Sequence, residues 1–176
     1  MTAPASNRIT VRRATESDAA ACLAYARFIF TTTDQLLRVP NELELTVEQE
    51  AEWLRDAASK NNLILVATCG NDVVGLLSCD VKSFVKMKHV AEFGVSVHPN
   101  HQRAGIGTRL IETTLAWVKD ETTIEKLILN VFDTNPGAIN LYRRFGFVEE
   151  CRQAKAAKQP DGSYVDMIQM RLFVNR

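Results

Sequence analysis

The sequence predicts a single mixed α/β domain, an α+β mixed sheet of order β-α-α-β-β-β-α-β-α-β-β, and three observations carry that expectation. The first is a change of hydrophobic period near residue 105. Phe93, Val95 and Val97 alternate with Gly94, Ser96 and His98 in the period of two of a strand, whereas Ile106, Leu110, Ile111, Leu115 and Val118 share one helical face. The second is a run of strand formers at 127–132, followed by an Asn135-Pro136 break and a short helical pattern closed by Gly146. The third is size: 176 residues, 46% of them hydrophobic, bury one sizeable core and are short for two.

The elements follow in order. Residues 1–7 read as a loose tail and 8–176 as the domain. Ile9 and Val11 alternate with Arg8, Thr10 and Arg12 in a first strand. Thr15, Glu16, Ser17 and Asp18 then supply capping residues and first-turn acids for a helix through about Phe30. The pattern lapses over 31–45 into threonines, Asp34, Pro40 and Asn41. Thr46-Val47-Glu48-Gln49 is a capping box for a second helix, with an expected apolar stripe of Val47, Ala51, Leu54 and Ala58. Segments 63–69 and 73–81 are strands joined by Gly70-Asn71-Asp72, a hairpin signal. After a Lys/Met/Phe connection at 82–88 come the strand ending near Val97, the helix from Gly105, the Leu127 strand and the helix carrying Tyr142. A last pair of strands, near 147–152 and 164–174, flanks Gln159-Pro160-Asp161-Gly162.

Composition narrows the partners. Acidic and basic residues balance at 21 each, so no global field steers the chain toward nucleic acid or an anionic membrane. Cys22, Cys69, Cys79 and Cys151 lack metal or redox spacing, and His89, His98 and His101 do not complete a metal site. With no secretory signal or long apolar span, a reducing cytoplasm is the expected home.

The strand-to-helix turn carries the most specific chemistry. Gly105 and Gly107 stand at the helix start, where a backbone without Cβ bends sharply and first-turn N–H groups lack intrahelical partners. Those donors and the helix dipole favour an anion, and Gln102 and Arg103 add a neutral donor and a cation, which suits a pyrophosphate. A dinucleotide fingerprint requires a third glycine where Leu110 stands, and a P-loop requires a Gly-Lys-Ser/Thr ending that is absent.

Gln102-x-x-Gly105-x-Gly107 instead resembles the acetyl-CoA signature of the GNAT superfamily of N-acetyltransferases. A second segment resembles the same family: Asn-x-x-Ala-x-x-Leu-Tyr followed by Gly-Phe, carried by Asn135, Ala138, Leu141, Tyr142, Gly146 and Phe147. The resemblance covers nearly the whole chain and implies a GNAT-like fold with splayed parallel central strands. It implies acetyl-CoA as cofactor, gripped by the turn from Gln102 through Arg103, Ala104, Gly105, Ile106 and Gly107 to Thr108. Val95 and Val97 would pair with the pantetheine arm through their backbones, and Asn135 and Tyr142 would complete the cofactor site.

The implied reaction moves acetyl from a thioester to a primary amine, and it requires a neutral amine, a stabilised oxyanion and an acid for the thiolate. Alkyl amines have a pKa of about 10.4, so a base or a desolvating cleft must take a proton. Tyr142, a phenol with an ordinary pKa of about 10, matches the family's general acid. Glu92, on the opposite pleat from Val95, is the best-placed carboxylate for the base, acting through water. Some peptide-acetylating relatives carry a glutamate where Asn130 stands here, and an amide cannot take a proton, which weakens a protein-terminus reading.

Acceptor recognition is expected in 28–45 and in the terminal hairpin. Asp34, Glu42 and Glu44 would attract a cationic amine, and Arg152, Lys155 and Lys158 would meet a carboxylate. A small-molecule amine is the expected substrate, an amino acid, polyamine or antibiotic-like compound, with a peptide or protein amine second. A non-catalytic acyl-CoA sensor is the alternative. Homodimerisation is expected through an exposed terminal strand.

Overall fold

Two capping boxes fix where the first helices start. In the computed structural model, which describes residues 8–37, 42 and 44–174, Thr15 and Asp18 exchange the reciprocal bonds of one box, and Thr46 and Gln49 those of the other. The expected loose tail at 1–7 lies outside the described residues. The elements are β1 (Ile9–Arg13), α1 (Ala19–Thr32), α2 (Val47–Ser59), β2 (Leu63–Cys69), β3 (Asp72–Val81), β4 (Val90–Val97), α3 (Ile106–Glu121), β5 (Lys126–Phe132), α4 (Pro136–Arg144), β6 (Val148–Lys158) and β7 (Tyr164–Phe173). This is the predicted order. The last hairpin differs in extent, because β6 runs on to Lys158, with two register irregularities that let the longer strand stay paired with β7.

The strands form one seven-stranded sheet of order β1-β2-β3-β4-β5-β7-β6. Every neighbouring pair is antiparallel except β4 and β5, which are parallel. Helices α3 and α4 cover one face. Ile106, Leu110, Ile111 and Val118 of α3, with Ile139 and Tyr142 of α4, pack there against Leu65, Leu77, Ala91, Phe93, Leu127 and Leu129. Helices α1 and α2 cover mainly the β2–β3 part of the other face, through Cys22, Tyr25, Ile29, Leu54 and Ala57 against Ile64, Val66 and Val73, and Tyr25 reaches Ser96 near the end of β4. Over β5 and the rest of β4 that second face stays open.

Asp18 ties the first strand to the helical layer. Its carboxylate takes two 2.7 Å bonds from Arg12 and one of 2.8 Å from the Thr15 N–H. The Arg12 guanidinium holds that carboxyl well below the usual range.

Helix α2 departs from its predicted stripe. Val47 and Ala58 are exposed, and the buried face is Glu50, Leu54 and Ala57, with Ala51 and Trp53 half-buried. The box places Val47 in the first turn beside solvent, and packing on α1 then selects the 50–54–57 ridge. Glu50 is therefore a carboxylate only 6% exposed. Burial raises its pKa. The facing Cys22 thiol is pushed up to about 12, first by burial and then by the Glu50 and Asp18 charges.

A stability prediction follows from Glu50. The folded carboxyl keeps its proton to higher pH than the unfolded one, so the unfolded chain binds fewer protons across that interval and stability falls as pH rises through it. Glu50→Gln removes this loss. The variant's thermal midpoint is expected ~2–4 °C above wild type at about pH 7.5, with the gap closing near about pH 4. Thermal melts across that range check it, and a variant less stable at both ends overturns it.

Candidate active site

The main chain of β4 alternates between two neighbours. The Val90 carbonyl accepts from Lys82, and the His98 N–H donates to Val74, so even-numbered residues turn their backbone groups toward β3. Odd-numbered residues face β5, as the His89 carbonyl shows by accepting from Glu125 and Lys126. The β4–β5 ladder pairs Val90 with Lys126, Ala91 with Leu127 and Glu92 with Ile128, and stops there. Both strands continue, β4 against β3 as far as Val97 and β5 against β7 as far as Phe132. The backbones of Phe93, Val95 and Val97 thus line a wedge-shaped gap, where an arm bearing its own amides can pair with them. Val95 and Val97 are where the sequence placed them, with side chains packed on the core and main chains toward the gap.

The gap opens onto the expected turn. Gly105 caps α3 at φ 76°, left-handed backbone that an L side chain occupies only under strain, and an added Cβ there would meet no atom within 4 Å. The first main-chain bond of α3 comes from Arg109 to the Gly105 carbonyl, which leaves the N–H groups of Ile106, Gly107 and Thr108 without helical partners. Gln102, Arg103 and Ala104 are exposed beside them, and the Gln102 amide reaches back to the Val97 carbonyl at 3.4 Å. Ile106 contributes only its backbone to this cradle, because its side chain is 1% exposed and anchors α3 on the sheet. Gly107 matters for approach: a Cβ there would meet Leu141 of α4 at 3.2 Å. The cradle and the open β4 edge together fit a pyrophosphate with an amide-bearing arm.

Helix α4 brings Tyr142 to the fork. Its ring packs edge-on against Phe93 and Phe147, each with centroids 6.1 Å away, and the residue is 6% exposed. Burial pushes its hydroxyl up to about 12, so the phenol is protonated at neutral pH. Asn135 caps α4, its side-chain oxygen accepting from the Ala138 N–H at 3.1 Å, which leaves its amide nitrogen as the group available to a ligand.

On the other face lies a cleft of about 420 Å³, floored by Ser78, Asp80, Lys82, Glu92 and Gly94 and walled by Leu36, Leu37, Asn130, Phe132 and Met167. Glu92 is in it, as expected, and held on both oxygens: Lys82 Nζ lies 2.5 Å from one and Asn130 Nδ2 2.8 Å from the other. Leu36 and Leu37 fall within the 28–45 segment expected near the acceptor, whereas Asp80 and Lys82 were not singled out in the sequence. The parity of β3 puts Asp80 on the same face as Ser78, but only the ladder shows that it meets Glu92. The expected acceptor charges are dispersed. Arg152 contacts Glu149 of its own strand, Asp166 of β7 and Asp133 just after β5 rather than standing free for a carboxylate. Lys155 and Lys158 lie over the Tyr164 ring. Asp34 offers its carbonyl to Gln159, while Glu42 and Glu44 are exposed. Among the described residues no group of three His, Cys, Asp or Glu side chains gathers to hold a metal, and no helix is long and apolar enough to cross a membrane.

Known proteins share this architecture. The crystal structure of a GNAT-family acetyltransferase from Streptococcus pneumoniae superposes with a TM-score of 0.90 at 24% identity, over 94% of this chain and 99% of that one. The yncA structure from Salmonella typhimurium, solved with its cofactor acetyl-CoA, superposes with a TM-score of 0.85 at 20% identity, over 96% and 95%. In sequence, the L-amino acid N-acetyltransferase AaaT of Escherichia coli (strain K12) is 30% identical over 131 residues, which is 74% of this chain and 80% of that one. The acetyltransferase (GNAT) family pattern matches residues 29–147, from the end of α1 through the turn, the fork and Phe147, and the chain belongs to that family.

Proposed function

We propose that this acetyltransferase moves acetyl from acetyl-CoA to the primary amine of a small molecule, with the amine in the cleft on one face of β4 and the donor in the gap and turn. The observation that carries this reading is the fork after Glu92 and Ile128, which joins the two compartments at one point. Acetyl-CoA, its cofactor, supplies when bound an acetyl group activated as a thioester. The N–H groups of Ile106, Gly107 and Thr108 hold the diphosphate, with Gln102, Arg103 and Ala104 beside it and the Asn135 amide nearby. The Val95 N–H faces the gap and meets the charge that develops on the carbonyl oxygen.

Tyr142 gives its proton to the leaving sulfur. Burial keeps the phenol protonated at neutral pH, so its proton is in place when the sulfur departs. Glu92 supplies negative charge on the acceptor side. The cleft mixes apolar Leu36, Leu37, Phe132 and Met167 with few charges, which suits a small amine better than a polyamine bearing several cations. The relative AaaT is named for L-amino acids, which supports an amino acid as the first acceptor to try. A homodimer paired near the exposed edge strand β6 and a reducing cytoplasm belong to this reading.

Thiol release from acetyl-CoA across amino acids, polyamines, aminoglycosides and peptides tests the proposal. Tight acetyl-CoA binding with no release to any amine returns the sensor reading instead. Tyr142→Phe is expected to lower kcat by about 10²-fold or more while acetyl-CoA affinity stays within about twofold. An unchanged kcat removes Tyr142 from the reaction. Gly105→Asp, strained at positive φ and anionic where a diphosphate sits, is expected to weaken acetyl-CoA binding about 100-fold in calorimetry without loss of the folding transition. Retained affinity would show that the turn does not bind the cofactor.

A further inference from the structure

Asp80 of β3 stands directly opposite Glu92 of β4 in the antiparallel ladder, and both carboxylates line the floor of the cleft. Like charges so placed repel, and their surroundings treat them differently. Glu92 has both oxygens occupied, by Lys82 and by Asn130. Asp80 has one oxygen fixed: Oδ1 accepts from Asn62 Nδ2 at 2.8 Å, and the Asn62 carbonyl oxygen takes the Val81 N–H at 2.9 Å, which orients that amide. Among the described residues Oδ2 makes no hydrogen bond.

Resting on the proposed acetyl transfer, we propose that Asp80 Oδ2, rather than Glu92, receives the proton that the acceptor ammonium sheds before attack. Glu92, clamped by Lys82 and Asn130, is the fixed negative neighbour that helps draw the ammonium in. One N–H bond of the ammonium breaks as an O–H bond forms at Asp80, and the freed lone pair attacks the thioester carbon. Of the two protons the nitrogen gives up in becoming an amide, the first passes from Asp80 to water through the open cleft. The second restores Tyr142, whose own proton has gone to the thiolate as the C–S bond breaks.

The electrostatics agree with this division. Partial desolvation between the cleft walls, and then the Glu92 charge, raise the Asp80 carboxyl, with Lys82 opposing, although one side of the residue stays open to water. A raised carboxyl is a better proton acceptor than an ordinary aspartate. No other charge intervenes among the described lining residues: Gln35 and Leu36 after α1, Asn130 and Phe132 of β5 and Met167 of β7 are all uncharged.

Asp80→Asn keeps an oxygen for Asn62 and so preserves the local fold. It is expected to lower kcat/KM for the amine by about 10²-fold near neutral pH, with the acetyl-CoA KM unchanged. The residual rate should climb about tenfold per pH unit toward the amine's own pKa, as free amine replaces the missing base. Glu92→Gln should cost less than about tenfold and move the acid limb of the pH profile to lower pH, because Asp80 loses its charged neighbour. In carbon-13 carboxyl titrations of the protein without acetyl-CoA, Asp80 is expected to titrate above ordinary aspartate and to fall in Glu92→Gln. Asp80→Asn within about threefold of wild type with its acid limb intact overturns the proposal, as does a limb that vanishes only in Glu92→Gln. An Asp80 carboxyl that titrates as ordinary aspartate in both proteins also overturns it. That reading requires no turnover, so it stands or falls apart from amine acetylation itself.

Discussion

The parting of β4 from β5 after Glu92 and Ile128 is the constraint on which the rest depends. A sheet that stayed paired would bury the odd-numbered backbone groups of β4 and leave no passage from one face to the other. The parting is sustained from outside: β4 remains paired with β3, β5 remains paired with β7, and the side chain of Phe93, first past the fork, packs against Tyr142 and Phe147. Unpaired main-chain groups in a protein interior are costly unless something else satisfies them. The fork therefore holds a standing demand for a hydrogen-bonding partner, and the turn at Gly105 determines the charge that partner carries.

Around the fork, most charged groups are paired with a neighbour of opposite sign. Arg12 pairs with Asp18 at the first strand, and Arg152 with Glu149, Asp133 and Asp166 at the last hairpin. The Lys82–Glu92 pair is tight though partly exposed, and Asp80 keeps one oxygen without a hydrogen bond among the described residues. The exposed Arg152 pairs contribute little stability, about 0–1 kcal/mol each, whereas Asp18 is buried where it meets Arg12. The cleft is left with few charges and each has a defined neighbour.

The order of elements was legible because it rests on local signals: the period change at the turn, two capping boxes, a glycine hairpin and the Asn135-Pro136 cap. The placement of Tyr142 on α4 and of Glu92 on β4 was legible as well, one through the Asn135 to Phe147 pattern and one through strand parity. What could not be read was set by pairs distant in sequence. The long 82–88 connection leaves the β3–β4 register free, so nothing before the ladder places Asp80 against Glu92. Helix α2 misled because its stripe was chosen from apolar residues, whereas packing on α1 turns Glu50 inward and Val47 outward. Arg152 likewise looked available until β6 was laid beside the acids of its neighbours.

Successive residues of β4 address different molecules. Phe93, Val95 and Val97 present main chain to the gap, and Glu92 and Gly94 present themselves to the cleft. Side chains at even positions can thus change toward the acceptor while the main chain of the odd positions, on which the donor arm would pair, stays the same. Such a strand lets one lineage keep a common currency of acetyl groups and diverge in what it acetylates, a substitution at a time.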